Sequence, residues 1–479
     1  MVFEEELMSL VRCQEVGCAL AIEEKQVIQV GSMLTITGTC MKGHCFKWSS
    51  QPRCCGPKSR PAGNVALAAA TLLTGNTQTT LNEMCNVINL ATIKKSSFYE
   101  IQRDILLPNI QKMYNAHIED IHKAYEYLPT KVTVAGDARH DSPGHSAEFG
   151  LYTIMDTIND VIISSKTVAV GEKDVPNSYW LENEGLKRCL KELKDCKIHI
   201  DTLVTDRHSS IAKTMREKYS DVRHEYDIWH LAKSIRKKLV KACGKHQEIR
   251  PWQKAIINHF WWSAETCNGS YTQFKERWTS ILRHIVDRHK WICCEEFHQC
   301  EHDEVDMSKL WLTEGSDAHR ALQVIVAENK LLKDLEHAVE FCHTGNLEVF
   351  HSMLLKYMPK RSRFGHECMI ARGMLAVIDH NLNVHREHGT LSDGGKQYKL
   401  EWSKRSKQFV VKRIKEAKDY SFREQLMIGV FERAVNGDKS RSTLLDPEST
   451  RLIEEHKKSK RGEKPSKEEA VAGHMSRMK

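Results

Sequence analysis

Long hydrophobic runs are missing from this chain. The longest apolar stretch, Val65 to Leu73, falls far short of the roughly 18 residues a membrane span needs. No membrane partner is therefore expected. The opening residues, MVFEEELM, are acidic and lack an apolar h-region, so no secretory leader is expected either. Internal repeats are absent, which sets repeat architectures aside. Apolar residues make up only 41% of the 479, somewhat low, yet enough to bury a sizeable core. The length exceeds what one core usually organises, so two or three folding units are expected. A charged fraction of 28% and a mean hydropathy of −0.49 describe a soluble chain.

What the chain does have is Cys and His, 16 and 25 respectively. Without a secretory leader, these read as metal ligands and free thiols rather than disulfides. The net charge of +8 is a mild lean toward polyanions, concentrated in the C-terminal third.

The pattern divides the chain into six stretches. Residues 1–60 are rich in Cys and Gly and alternate over Val27 to Val30 and Met33 to Thr37, as short strands pinned by metal would. Residues 61–126 read as a helical domain, with Asn64 as an N-cap and a break at Pro108. Residues 127–243 give strands at Lys131 to Asp137, Phe149 to Met155 and Val161 to Val170. A helix then runs from Asn177 to Lys197, a strand from Ile198 to Val204, and a helix from Ser209 to Tyr219. A short strand or helix entry at Glu225 to Trp229 leads into the basic helix Leu231 to Cys243. Residues 244–340 are helical, Trp-rich and Cys/His-rich, and look inserted. Residues 341–435 complete the core, with a helix over 343–357 whose apolar face is Leu347, Phe350, Leu354 and Tyr357, then basic helices over 400–435. Residues 436–479 read as a disordered basic tail.

Three strands able to pair as an antiparallel meander, followed by two that need helical crossovers and so join in parallel, make an α/β fold with an RNase H-like mixed sheet. Two of these strands end in an acid, Asp137 and Asp206. On neighbouring strands those acids stand about 4.8 Å apart at the edge where open α/β sheets bind ligands. Carboxylates that close repel unless a cation lies between them. Mg²⁺ or Mn²⁺ suits the hard oxygens, and a pair of ions serves phosphoryl transfer. Glu348, in the first turn of a helix capped at Asn346, supplies a third carboxylate, ionised by the helix dipole. A lone strand-end Asp is ordinarily a turn or cap residue. The combination carries the signal.

The tetrapeptide Asp227-Ile228-Trp229-His230 fits the [Cys/Asp]-x-x-His signature that several eukaryotic DDE transposase groups carry between the second Asp and the Glu. Together with GDARHDSPGHS (136–146), TDRHSSI (205–211), FCHTGNLEVFHSMLLKY (341–357) and DHNLN (379–383), the chain resembles Kolobok-type DDE transposases over most of residues 1–435. The resemblance implies Asp137, Asp206 and Glu348 as the catalytic triad, and Asp227 and His230 as the auxiliary pair. His230 would contact DNA or the reacting phosphate, or merely pack at a helix start. His208 and His145 are weaker candidates. The resemblance also implies DNA as partner, a homo-oligomer, a nuclear location and a THAP-type finger ahead of the body. Since such a finger is not seen here, a domesticated or truncated, catalytically inactive descendant is the alternative. An RNase H-like nuclease with another substrate is a third.

Two zinc sites are expected. Cys13-x₄-Cys18 and Cys40-x₃-His44 have the look of a zinc ribbon, with Cys45 able to replace His44. A second cluster in the insertion offers Cys293, Cys294, His298, Cys300 and His302, with Cys267 upstream. Cys293, Cys300 and His302 are the provisional choice, and Cys342 and His343 either join or pack. Basic runs at Arg236 to Lys238, Arg288 to Trp291, Lys360 to Arg363 and Trp402 to Lys418 are candidate phosphate contacts. Lys457 to Arg461 is a candidate nuclear localisation patch.

Overall fold

The computed structural model describes residue 7 and residues 11–476, apart from 24, 57, 128–130, 144–145, 303–309, 405, 439 and 462–465. His145 and Arg405, both sequence candidates, lie outside the described residues. No helix among the described residues is long and apolar enough to cross a membrane.

A five-stranded mixed sheet forms the centre, built from β4 (Val132–His140), β5 (Phe149–Asp156), β6 (Ile162–Ala169), β7 (Ile200–Thr205) and β8 (Arg223–Tyr226). Its order is β6-β5-β4-β7-β8, with β4, β5 and β6 antiparallel and β7 and β8 joined in parallel, the arrangement of an RNase H-like fold. Side chains alternate across it, as the period of two dictates. Phe149, Leu151 and Met155 enter one core, while Tyr152 and Ile154 enter the other. The second core is closed by the crossover helices α5 (Leu181–Asp195) and α6 (Ser209–Lys218).

The first core is larger and joins distant parts of the chain. It takes in α1 (Ala62–Leu73), α2 (Gln78–Val87), α3 (Lys95–Ile101) and α4 (Leu107–Glu126) from the N-terminal half. It also takes in α12 (Gly345–Leu354), α13 (His366–Asn381) and α14 (Ser421–Asn436) from the C-terminal half. Residues 61–126, read as a helical domain, share one core with residues 341–435. Pro108 does not break the helices. A π-helical turn over Gln102–Leu106 carries α3 into α4, and the Asp104 carbonyl, which the missing Pro108 N–H leaves free, accepts from Arg433 Nε at 2.9 Å. Asn64 is no cap either: Pro61 precedes α1, and the buried Asn64 side chain holds the Ser32 amide and the Val30 carbonyl. The apolar face of α12 is buried as its spacing requires, with Leu347, Phe350 and Leu354 inside, and Tyr357, just past the helix end, is buried too.

The insertion is helical, with α7 (Ile228–Cys243), α8 (Gln253–Glu265), α9 (Tyr271–His284), α10 (Asp317–Val326) and α11 (Asn329–Asp334) around a separate core. Its ends meet. The Ile228 amide donates to the Cys342 carbonyl at 3.3 Å, and the Thr344 hydroxyl donates to the Asp227 carboxylate.

At the N-terminus, β1 (Gln26–Val30), β2 (Met33–Thr39) and β3 (Cys45–Ser49) form an antiparallel meander. Its core of Val11, Cys13, Ile22, Ile36, Cys40 and Phe46 is too small to fold unaided. Two C-terminal expectations are corrected. Residues 398–413 are not helical but a hairpin, β9 (Tyr398–Ser403) and β10 (Gln408–Arg413), because β-branched and aromatic residues alternate with the lysines there. The stretch after 436 contains α15 (Pro447–Arg461), whose Ile453 is buried in the large core, and α16 (Lys467–Ser476).

Candidate metal centres

Parallel pairing of β4 with β7 sets Ala135 opposite Val204. Continued two residues, that register brings Asp137 level with Asp206. Asp137 is not the last residue of its strand, since β4 runs on to His140. Both side chains are partly open to solvent, 29% for Asp137 and 40% for Asp206, as ions and a polyanion would require.

The next element carries Asp227 and His230. Asp227 caps α7, accepting from the Trp229 amide at 2.8 Å. The same cap brings His230 one turn on, where its Nδ1 lies 2.7 Å from Asp206 and 3.1 Å from Asp227. Ligand atoms of Asp206, Asp227 and His230 all fall within 4.8 Å of one another. Hydrogen bonds to Asp206 and then Asp227 push the His230 imidazole up to about 10. Burial works against the charge on Asp227, but His230, Thr344 and the Trp229 amide outweigh it and hold its carboxyl low.

Asp137 and Glu348 lie outside that group. Asp137 accepts from the Ala138 amide at 2.8 Å, and its other oxygen is 3.4 Å from His351 Nδ1. His351 belongs to α12, which is anchored to β4 by a bond from Arg139 to the His351 carbonyl. Glu348 lies three residues before His351, hence on the same helix face, and is exposed. It sits in the first turn as expected, but the cap is Thr344, and Asn346 instead donates to Asp160 at 2.6 Å.

Glu182 is the acid that sequence reasoning missed. It lies in the first turn of α5. Burial, then the charges of Asp137 and Asp206, push its carboxyl up to about 8. Burial and two neighbouring carboxylates both oppose its charge, an opposition that a divalent cation with oxygen ligands would relieve. The donor set therefore fits Mg²⁺ or Mn²⁺. Close approach of α5 to β5 depends on Gly185, where a Cβ would collide with Tyr152. Gly185→Val is expected to lift α5 and Glu182 off the sheet. It should cost about 1–3 kcal/mol by overpacking, read as a lower urea midpoint, together with weaker Mn²⁺ binding by calorimetry.

The N-terminal group of three cysteines and one histidine forms as its spacing implied. Ligand atoms of Cys13, Cys18, Cys40 and His44 stand within 4.8 Å of one another. Cys13 Sγ is 3.6 Å from His44 Nδ1, and Cys18 Sγ is 3.9 Å from Cys40 Sγ. A zinc tetrahedron has edges of about 3.6 Å for N···S and about 3.8 Å for S···S. Gly17 and Gly43, at φ 79° and 78°, make the two turns that bring the cysteines round. Burial opposes the Cys40 thiolate, yet the His44 and Lys42 amides hold its pKa down, as they would in a metal-binding turn. Cys45 is exposed on β3, and the ligand position falls to His44.

In the insertion, Cys300 and His302 do come together, but with His284 and His289. Cys293 is not among them, because Arg283 holds its thiol at 3.0 Å. Cys294 is likewise held by Arg283, and Cys267 is buried against the Ala264 and Val339 carbonyls. Cys342 donates to the Glu340 carbonyl, and His343 stacks on Trp261. His208 packs against Tyr179.

Several basic candidates are consumed internally. Lys238 pairs with Glu328, Arg288 with Glu314, Arg363 with Glu148 and Lys412 with Glu401. Lys418 is bound to the buried Asp379. In comparisons with known proteins, the chain matches no protein-family model and no curated protein.

Proposed function

We propose that the chain is a transposase-derived DNA-processing protein, which cleaves and transfers DNA strands at the Asp137–Asp206 centre with Mg²⁺ or Mn²⁺. The observation that carries this reading is the levelling of Asp137 with Asp206 on adjacent parallel strands, with Glu182 inside their field. Bound there, divalent ions would activate the attacking oxygen and stabilise the leaving one. Asp137 and Asp206 would hold the ions, with Glu182 or Glu348 as the third carboxylate. His230, kept cationic by its two carboxylates, offers charge toward a phosphate and fixes Asp206. Beside it stands the exposed Trp229, its ring 4.8 Å from His230 with Lys233 above. Aromatic and cationic groups side by side suit a nucleic-acid strand. Phosphoryl transfer here makes one P–O bond from water or a 3′-hydroxyl and breaks another. Nuclear location and a homo-oligomer follow from the resemblance to Kolobok-type transposases.

A domesticated, non-cutting DNA-binding protein is the second reading. The pairing of Asp206 with His230 and of Asp137 with His351 favours it, since each aspartate then has a partner of its own. A supercoiled plasmid incubated with the full chain separates the two. Nicks ending in 3′-hydroxyls, formed only with Mg²⁺ or Mn²⁺, support chemistry. Plasmid retained in a gel shift yet never cut with either ion rejects it.

A further inference from the structure

We infer that His284, His289, Cys300 and His302 form a tetrahedral zinc site, separate from the acid centre and independent of any action on DNA. The ligand atoms are His284 Nδ1, His289 Nδ1, His302 Nε2 and Cys300 Sγ. His302 Nε2 is 3.3 Å from His284 Nδ1 and 3.2 Å from His289 Nδ1, and Cys300 Sγ is 3.6 Å from His284 Nδ1. With Zn–N of about 2.0–2.1 Å and Zn–S of about 2.3 Å, a tetrahedron has N···N edges of about 3.3 Å and N···S edges of about 3.6 Å. These three edges match, and all four atoms lie within 4.8 Å of one another. Three imidazoles and one thiolate suit a borderline-soft ion and exclude Mg²⁺ and Ca²⁺.

The surroundings are built for the role. Asp287 accepts from His289 Nε2 at 3.1 Å, which turns the Nδ1 of that ring toward the other three ligands. Carboxylate, imidazole and metal in line is the usual way of orienting a histidine ligand. Asp287 has φ 62°, a left-handed turn that folds its carboxylate back on His289. Trp311 packs against both His284 and His289 at 5.6 Å, and Trp252 covers His284. His284 ends α9, while Cys300 is bound back to His289 by a 2.9 Å backbone bond. An ion here would staple a ribbon whose buried anchors, Trp291 and Phe297, make only a small core. On binding, the Zn–S bond forms and the Cys300 thiol proton leaves to solvent.

Zinc content and cobalt exchange of the full chain test this. Unmutated protein should carry about two zinc ions in cysteine-containing sites, and about four thiolates should contribute to the sulfur-to-cobalt charge-transfer band. That band counts sulfur ligands only, so an ion at the acid centre does not register. Cys300→Ser should remove about a quarter of the band, and His302→Ala about one zinc per chain. Cys293→Ser should change neither. Equal zinc in all three variants, or loss only in Cys293→Ser, overturns the site. If the ligand variants precipitate, the unmutated chain decides: a four-thiolate cobalt spectrum supports the site, and a three-thiolate spectrum means that the site at Cys300 is empty and overturns it.

Discussion

Asp206→Asn is expected to reduce Mn²⁺-dependent nicking by about a thousand-fold or more, roughly 4 kcal/mol in the barrier. The substitution keeps shape and removes charge at the one acid that both faces Asp137 and binds His230. It withdraws an ion ligand and releases the imidazole in the same step. Asp137→Asn should do the same. The informative pair is Glu182→Gln and Glu348→Gln. If Glu182 is the third ligand, its variant falls with the aspartates while Glu348→Gln keeps most activity. If the helix carrying His351 moves onto the ions, the order reverses. Full activity in Asp206→Asn would end the catalytic proposal, since Asp206 is the strand acid that the β4–β7 register sets level with Asp137.

Asp379→Asn is expected to destabilise the protein by about 3 kcal/mol, seen as a lower urea midpoint. Asp379 is fully buried. Lys418 Nζ lies 2.9 Å from one oxygen, and Lys356 Nζ and Tyr357 Oη lie 3.1 and 2.8 Å from the other. Burial alone would raise its pKa, but Lys418, Tyr357 and Lys356 overcome that and depress it. A depressed carboxyl stabilises the fold above its unfolded pKa of about 3.9, and that stabilisation fades as pH falls through the lower folded value. The difference between Asp379→Asn and the unmutated chain should therefore be full at pH 7 and shrink in strong acid. A constant difference down to the acid transition would contradict the ion pairs as its source.

Where local pattern and chemistry coincide, the sequence was readable. Short apolar strands with acids at their ends located Asp137 and Asp206, and two close-spaced pairs located Cys13, Cys18, Cys40 and His44. Legibility failed where meaning depends on what lies across the fold. Glu182 looks like any acid at the start of a charged helix, and only the crossover over β5, made tight by Gly185, carries it to the aspartates. His284 and His289 come from a helix end and a left-handed turn, with none of the paired spacing that draws attention. Cys293 had the better-looking position, and Arg283 claims it. Lysines around Lys404 disguised the alternation of Trp402, Phe409 and Val411 as helix. Lys418 seemed to await phosphate, and its partner is the Asp379 carboxylate inside the same chain.

One rod joins two compartments. The apolar face of α7 seeds the core of the insertion, while its first turn carries Asp227 and His230. The insertion is thus fastened to the acid centre: the helix that fills its core starts at Asp227 and His230, and the Thr344 hydroxyl ties that start to the far end of the insertion.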